Sequence, residues 1–380
     1  MKRFYAIVLT LALLLGLCAC STGNSASSTE QPTASVPALT TEAGSSDATQ
    51  PSESQETEAP ETTAPVTTAP ETTVPATTEQ PVDEKKVELN VYSLKGPTSM
   101  GLAMLLEDSK NGKTFNTYHS TMCTGADEVT AALVSGEADI ALLPANAAAT
   151  LYNKAGGFTV VAINTLGVLY VVENGDSVHS IKDLLGKTVV LTGKGTTPEY
   201  ALRFLLNAND IEDQVTLEFK SEAQEVVAAL SENTAVIGLL PQPFATAALA
   251  QNENLRIAVS LQDEWDQFTH ESALVTGVTV VRNEVLEAYP SQIATFLKEA
   301  SWSVDRVNNH PEEAAPLIEQ MGIVAKAALA QKAIPFCNLV SITGSEMKLL
   351  LSGYLQTLYD QNPKAVGEAM PDDAFYYTGE

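Results

Sequence analysis

Cationic side chains are scarce in this chain: 21 Lys and Arg stand against 47 Asp and Glu among 380 residues, a formal net charge of −26. A surface that acidic repels phosphate backbones and anionic lipid headgroups, so nucleic acid is not an expected partner. Cysteine is scarcer still, at four residues, of which only Cys123 and Cys337 lie beyond the first twenty positions. Two cysteines allow one disulfide but not a framework, and no CxxC or Cys/His spacing marks a metal. His119, His179, His270 and His310 are scattered, with no HExxH pairing. Neither a metal nor a cofactor is expected. Spacing also reveals no acid–base pair and no nucleophile–base pair, which argues against catalysis.

Long apolar runs are missing as well. Lys2 and Arg3 precede an apolar stretch, Phe4 to Leu17, too short for a comfortable membrane span. This is the layout of a secretory signal over residues 1–20. It ends in Leu17-Cys18-Ala19-Cys20, which resembles the lipobox of bacterial lipoproteins: an aliphatic residue three before the cysteine and a small one just before it. By that resemblance Cys20 becomes the lipidated first residue, anchoring the protein to the cell membrane on its extracytoplasmic face. An uncleaved helical anchor is the alternative; both place the rest outside the cytoplasmic membrane.

Residues 21–84 hold no aromatic, no Lys or Arg, and eleven of the acids, in phrases such as TEAPETTAPVTTAPETTVPATTEQP. Such a composition buries too little apolar surface to offset the entropy of ordering, and its charges repel one another. A disordered, stretched tether is expected, long enough to clear a thick cell wall. This suggests a bacterium without an outer membrane.

What remains, residues 85–380, exceeds one hydrophobic core and predicts two lobes. ADEVTAALVSGEADIALLP (126–144) and AQEVVAALSENTAVIGLLP (223–241) align without a gap at an offset of 97. Each reads helix, turn, buried strand, proline stop. Upstream, VELNVYSLKGPTSMGLAMLL and KTVVLTGKGTTPEYALRFLL both set a strand before a Gly-Thr turn and a helix; downstream, FTVVAI and LRIAVSL are the next strands. Strands alternating with helices imply parallel sheets covered on both faces. A β-rich run at 273–281 and helices at 283–309, from Pro311 and at 345–360 follow. They do not repeat the unit, so the chain is expected to cross back and complete the first lobe.

The order strand, KGPTS turn, helix, GADEVTAALVSGEADIALLP, DLLGKTVVLTGKGTTPEYALRFLL, AVIGLLPQPFA and a closing MPDDAFYY resembles the substrate-binding proteins of ABC importers in the nitrate, sulfonate, taurine and thiamine-precursor group. The resemblance spans residues 87–380. It implies an α/β, type II periplasmic-binding-protein fold: lobe one at 85–180 and 277–380, lobe two at 181–276, crossings near 173–180 and 272–277. It also implies a monomer that binds a small-molecule ligand, a sulfonate, carboxylate or pyrimidine-like solute, for an ABC permease and its ATPase. A dehydratase-like enzyme on the same architecture and a ligand-loaded partner of a membrane sensor are the alternatives.

In open sheets of this kind the ligand collects at the carboxyl ends of the strands, near helix N-termini. Gly96, Pro97, Thr98 and Ser99 form one such turn, and Gly195, Thr196 and Thr197 its counterpart. Ser and Thr there are equally good helix caps. Asn146 and Gln242 follow the two Leu-Leu-Pro stops, and Thr124 and Asn164 adjoin neighbouring turns. Tyr92, Tyr200 and Phe244 stand near these turns, where a ring stacks or joins the core. Lys95 and Lys194 are the basic residues placed closest.

Overall fold

The computed structural model describes residues 85–379 apart from 234. The expected signal, the lipidation site Cys20 and the tether lie outside these residues.

The first half of the chain runs β1 (Glu88–Leu94), α1 (Pro97–Met100), α2 (Ala103–Lys110), β2 (Thr117–Cys123), α3 (Ala126–Ser135), β3 (Ile140–Pro144), α4 (Ala145–Ala155), β4 (Phe158–Thr165) and β5 (Leu169–Asn174). It continues with β6 (Thr188–Leu191), α5 (Thr197–Ala208), β7 (Thr216–Phe219), α6 (Ala223–Glu232), β8 (Ile237–Pro241), α7 (Phe244–Gln251), β9 (Leu255–Ser260) and α8 (Leu261–Asp266). The last part holds β10 (Gly277–Arg282), α9 (Asn283–Ala288), α10 (Pro290–Asn309), α11 (Pro311–Gln320), α12 (Ala327–Ala333), β11 (Leu339–Ile342) and α13 (Gly344–Gln361).

Two sheets form. Their strand orders are β11-β4-β10-β3-β1-β2 and β7-β6-β8-β5-β9. Read from β2 and from β7, the two sheets share one pattern: three parallel strands, one antiparallel strand, then a fourth parallel to the first three. The repeat read from the sequence therefore survives in topology. The expectation of purely parallel sheets does not. β5 and β10 are antiparallel because each enters its sheet from a crossing, and so runs opposite to the strands beside it.

The crossings also move. Since β5 pairs with β8 and β9, residues 169–174 belong to the second sheet, and the first crossing is 166–168 rather than 173–180. β4 and β5 are both nearly continuous buried runs, and period alone does not say which sheet a buried strand joins. The second crossing lies between α8 and β10, with Gly277 already opening the strand. The single helix expected at 283–309 breaks at Tyr289–Pro290, where a proline disfavours helical geometry in the residue before it.

The matched strands IALLP and IGLLP are both buried through their first four positions. Ile140, Ala141, Leu142 and Leu143 show no exposed surface, and each fully buried Ile or Leu side chain stabilises by about 1.5–3 kcal/mol. In the second copy a glycine replaces Ala141. A Cβ at Gly238 would lie 2.8 Å from Leu230 Cδ1, so α6 leaves no room for a side chain there.

Helix α13 joins the two halves. It packs on β4 and α4 and on α5. Tyr354, fully buried, lies 5.9 Å from the ring of Trp265 and donates to Thr197 Oγ1 at 3.3 Å. At Gly353 the helix backbone presses on the second crossing, where an added Cβ would strike the Glu271 carbonyl and approach Ser272 Cβ at 2.9 Å.

Candidate functional site

Proline stops both Leu-Leu-Pro strands, since it cannot extend the hydrogen-bond ladder. Where the released chain goes is set by two backbone bonds. Ala145 N, just past β3, donates to Thr276 O of the second crossing at 3.2 Å. Gln242 N, just past β8, donates to Val168 O of the first crossing at 2.9 Å. Thr276 N in turn donates to Thr165 O at 3.0 Å. Thr165 and Val168 are three residues apart, at most about 11 Å of chain. The two matched strand ends thus meet the two crossings within one small region.

Other expected residues converge there. A Cβ at Gly277 would lie 2.6 Å from Thr98 Cγ2 and 2.5 Å from Asn164 Oδ1, so Thr98 and Asn164 flank the second crossing and only a glycine fits between them. Gly96, at φ 111°, makes the turn that starts α1, and Pro97 is that helix's first residue. Asn146 lies in the first turn of α4, half-buried, with no side-chain partner among the described residues. No side chain caps α1, α4 or α5, so their starting amides are not satisfied in that way.

Several expected ligand contacts are occupied otherwise. Ser99 is 1% exposed and donates its hydroxyl to Leu94 O, turning it back on its own strand. Asn164 donates to Thr279 Oγ1 at 3.1 Å and accepts from Thr165 Oγ1 at 2.9 Å, which makes it a brace for the site. Thr124, exposed at the end of edge strand β2, donates to Glu128 Oε1 at 2.6 Å as a local tie to α3. Thr196 donates to Gly193 O at 2.7 Å within its turn, and Thr197 receives Tyr354. Gly195 N donates to Glu199 Oε2 at 2.7 Å. Burial alone would raise the Glu199 carboxyl, but that amide and Arg203 hold it below its usual value. Gly195 and Lys194 border a groove of about 730 Å³ between α5 and α13, and no hydrogen bond joins this turn to Gln242 among the described residues.

The aromatic candidates have partners within the fold. Tyr200 OH accepts from Asn362 Nδ2 at 2.7 Å, Tyr92 packs on the core, and Phe244 lies between α6 and α7. Cys123 and Cys337 are both free and buried, so the open question of a disulfide resolves against one.

Sequence reasoning overlooked Thr276. Its Oγ1 is buried without a partner, one of three such side-chain atoms among the described residues; Gln242 Nε2 is another. Unpaired buried polar atoms are rare, and two of the three belong to residues whose backbone bonds to the first crossing segment or the strand end beside it, the third being Tyr376 OH. The only advance signal was a Thr-Gly pair opening a β-rich run.

Two mixed sheets of matching strand order, linked by paired crossings, define the periplasmic-binding-protein fold. The family model for the phosphonate periplasmic substrate-binding proteins of ABC transporters matches residues 106–332, more than half the chain, and the chain belongs to that family. An ABC transporter structure from Parabacteroides distasonis is 25% identical, with a TM-score of 0.65 over 77% of this chain and 99% of that one. The periplasmic aliphatic sulphonate binding protein SsuA from Escherichia coli is 15% identical, with a TM-score of 0.59 over 77% and 94%. The ligand binding component of an ABC-type import system from Staphylococcus aureus, solved with zinc bound, is 14% identical at a TM-score of 0.54 over 78% and 99%. Curated protein sequences give no match. The protein is a substrate-binding component of an ABC transporter, with a small-molecule ligand and a permease as partners.

Proposed function

We propose that the chain captures a small organic solute bearing a hydrogen-bond acceptor, a phosphonate, sulfonate, carboxylate or pyrimidine-like compound, and passes it to an ABC permease. The solute sits where the ends of β3 and β8 meet the crossings, against Thr98, Asn146, Gln242 and Thr276. The observation that carries this reading is the pair of backbone bonds, Ala145 N to Thr276 O and Gln242 N to Val168 O, which tie each Leu-Leu-Pro end to a crossing. A solute held there touches both sheets and both hinge segments at once, so its binding energy favours a closed arrangement. The lobes rotate about 166–168 and 267–276, with the protein acting as a monomer and not as an enzyme.

The protein stands on the extracytoplasmic face of the membrane, held by lipid on Cys20 through the acidic segment 21–84. The Leu-Cys-Ala-Cys signal supports this. A Cys20→Ser change is expected to move the protein from the membrane fraction to the medium; retention in the membrane would contradict the anchor.

A thermal-shift panel of alkylphosphonates, alkanesulfonates, small carboxylates and pyrimidines tests the solute reading. A true ligand at a hundred times its dissociation constant adds about 2.7 kcal/mol of stability. The rise is expected for at least one compound and is expected to shrink in Gln242→Met and Asn146→Ala. A panel that leaves the melting temperature unchanged throughout would contradict the reading.

A further inference from the structure

The side-chain amide of Gln242 is locked in one orientation. Its Oε1 accepts from Thr246 N at 3.3 Å and from Thr246 Oγ1 at 2.7 Å. A backbone N–H only donates, so exchanging the amide's oxygen and nitrogen would set donor against donor; the oxygen faces α7. Nε2 is therefore turned away from the helix. It has no partner, in a residue that is 2% exposed.

Such a buried donor is costly to leave unpaired, and only an acceptor relieves it. No acceptor among the described residues lies within hydrogen-bond distance of it. The second orphan, Thr276 Oγ1, either donates or accepts, so it imposes no polarity. Gln242 does. An ammonium group offers only donors and would meet Nε2 donor to donor, whereas a carbonyl or oxyanion oxygen completes it.

Resting on the solute-capture reading, we infer that Gln242 Nε2 sets the polarity of the solute's anchoring group: the site takes an oxygen acceptor and rejects an ammonium. The chemistry also specifies how to invert the choice. Gln242→Glu keeps one oxygen on Thr246 and replaces the NH2 with a second, negatively charged oxygen. Gln242→Met removes the donor without adding charge.

Calorimetry on the full chain with two probe sets tests this: ethylphosphonate, ethanesulfonate, butyrate and uracil as acceptors, butylammonium and putrescine as donors. The wild type is expected to bind at least one acceptor and neither donor. Gln242→Met is expected to weaken that acceptor about tenfold, the size of one neutral hydrogen bond, and Gln242→Glu to weaken an oxyanion about a hundredfold while gaining an ammonium probe. Circular dichroism establishes that each variant is folded; should the Glu variant not fold, the Met variant and the wild-type panel decide. Equal acceptor binding by wild type and both variants overturns the assignment to Gln242 and leaves solute capture standing. Wild-type preference for an ammonium overturns it as well. Binding of no probe at all overturns both this inference and the solute reading beneath it.

Discussion

The two Leu-Leu-Pro ends begin alike and finish differently. After Pro144 the chain turns at once into α4, so Asn146 lies inside the helix's first turn, half-buried and uncommitted. After Pro241 a second proline, Pro243, delays the helix, and Gln242 is left before it, where its oxygen reaches forward to Thr246. At the offset of 97 Pro243 stands where Asn146 does and Gln242 where Ala145 does, and the amide ahead of Pro243 is the oriented one. In the proposed site the two ends serve as half-sites with distinct tasks, one free to adjust and one fixed to select.

The crossings differ in the same sense, and the largest predicted effect exploits that. Gly353 of α13 lies against the backbone of the second crossing, whereas a Cβ at Gly167 in the first would meet only side-chain atoms, Leu274 Cδ2 at 2.8 Å and Gln262 Oε1 at 2.9 Å. Gly353→Ala should destabilise by up to about 2 kcal/mol, an overpacking cost of about 1–3 kcal/mol reduced by the roughly 1 kcal/mol helix preference of alanine. Gly167→Ala should cost less, because side chains yield where a carbonyl does not. Urea denaturation of both variants ranks them, and the reverse order would show that α13 does not brace the second crossing.

The half-sites themselves are separated by affinity. Gln242→Met is expected to lose about tenfold in solute affinity, near 1.4 kcal/mol, and Asn146→Ala only about threefold, since an unconstrained amide loses entropy when it binds. Equal losses in calorimetry would erase the distinction between fixed and free.

Acid should act on the second sheet through Glu173, which ties β5 to Arg256 of β9 at 2.6 Å. Burial would raise this carboxyl, but Ser177, the amides of Val178 and Ser177, and Arg256 together hold it below its ordinary value. Its stabilisation is present above the unfolded carboxylate range, about pH 4.3, and is lost as the pH falls through the lower folded value. Melting temperatures taken from pH 6 to 3 should fall less steeply in Glu173→Gln; identical slopes would remove Glu173 from the account.

The smallest effect concerns Thr276. Thr276→Val replaces an unpaired buried hydroxyl with a methyl of similar shape, so stability should change by under about 0.5 kcal/mol while solute binding weakens. A large loss of stability would mean that the hydroxyl has a partner in the unliganded protein.

Much of this architecture could be read from residues alone because it is written in local patterns. The offset of 97 between the Leu-Leu-Pro strands reappears intact in β3 and β8, and the helical spacing of 126–135 and 223–232 becomes α3 and α6. The position of the first crossing could not be read, since LYVVEN is equally apolar whichever sheet it joins. Site residues divided by the reach of their partners. Ser99 and Thr124 looked like ligand contacts because their hydroxyls sit at turns, yet each finds an acceptor within five residues. Gln242 was visible as an amide after a strand stop, but its orientation depends on Thr246, and Thr276 shows its significance only when the ends of β3 and β4 bond to its backbone.

The central claim is that the meeting point of the β8 end and the crossings is the solute site. Side-chain NH2 resonances of Gln242, assigned in glutamine-labelled protein by their absence in Gln242→Glu, report on it directly. Titration with a solute that raises the melting temperature should shift both Gln242 protons at saturation. Full binding of that solute with the Gln242 resonances unmoved would contradict the account.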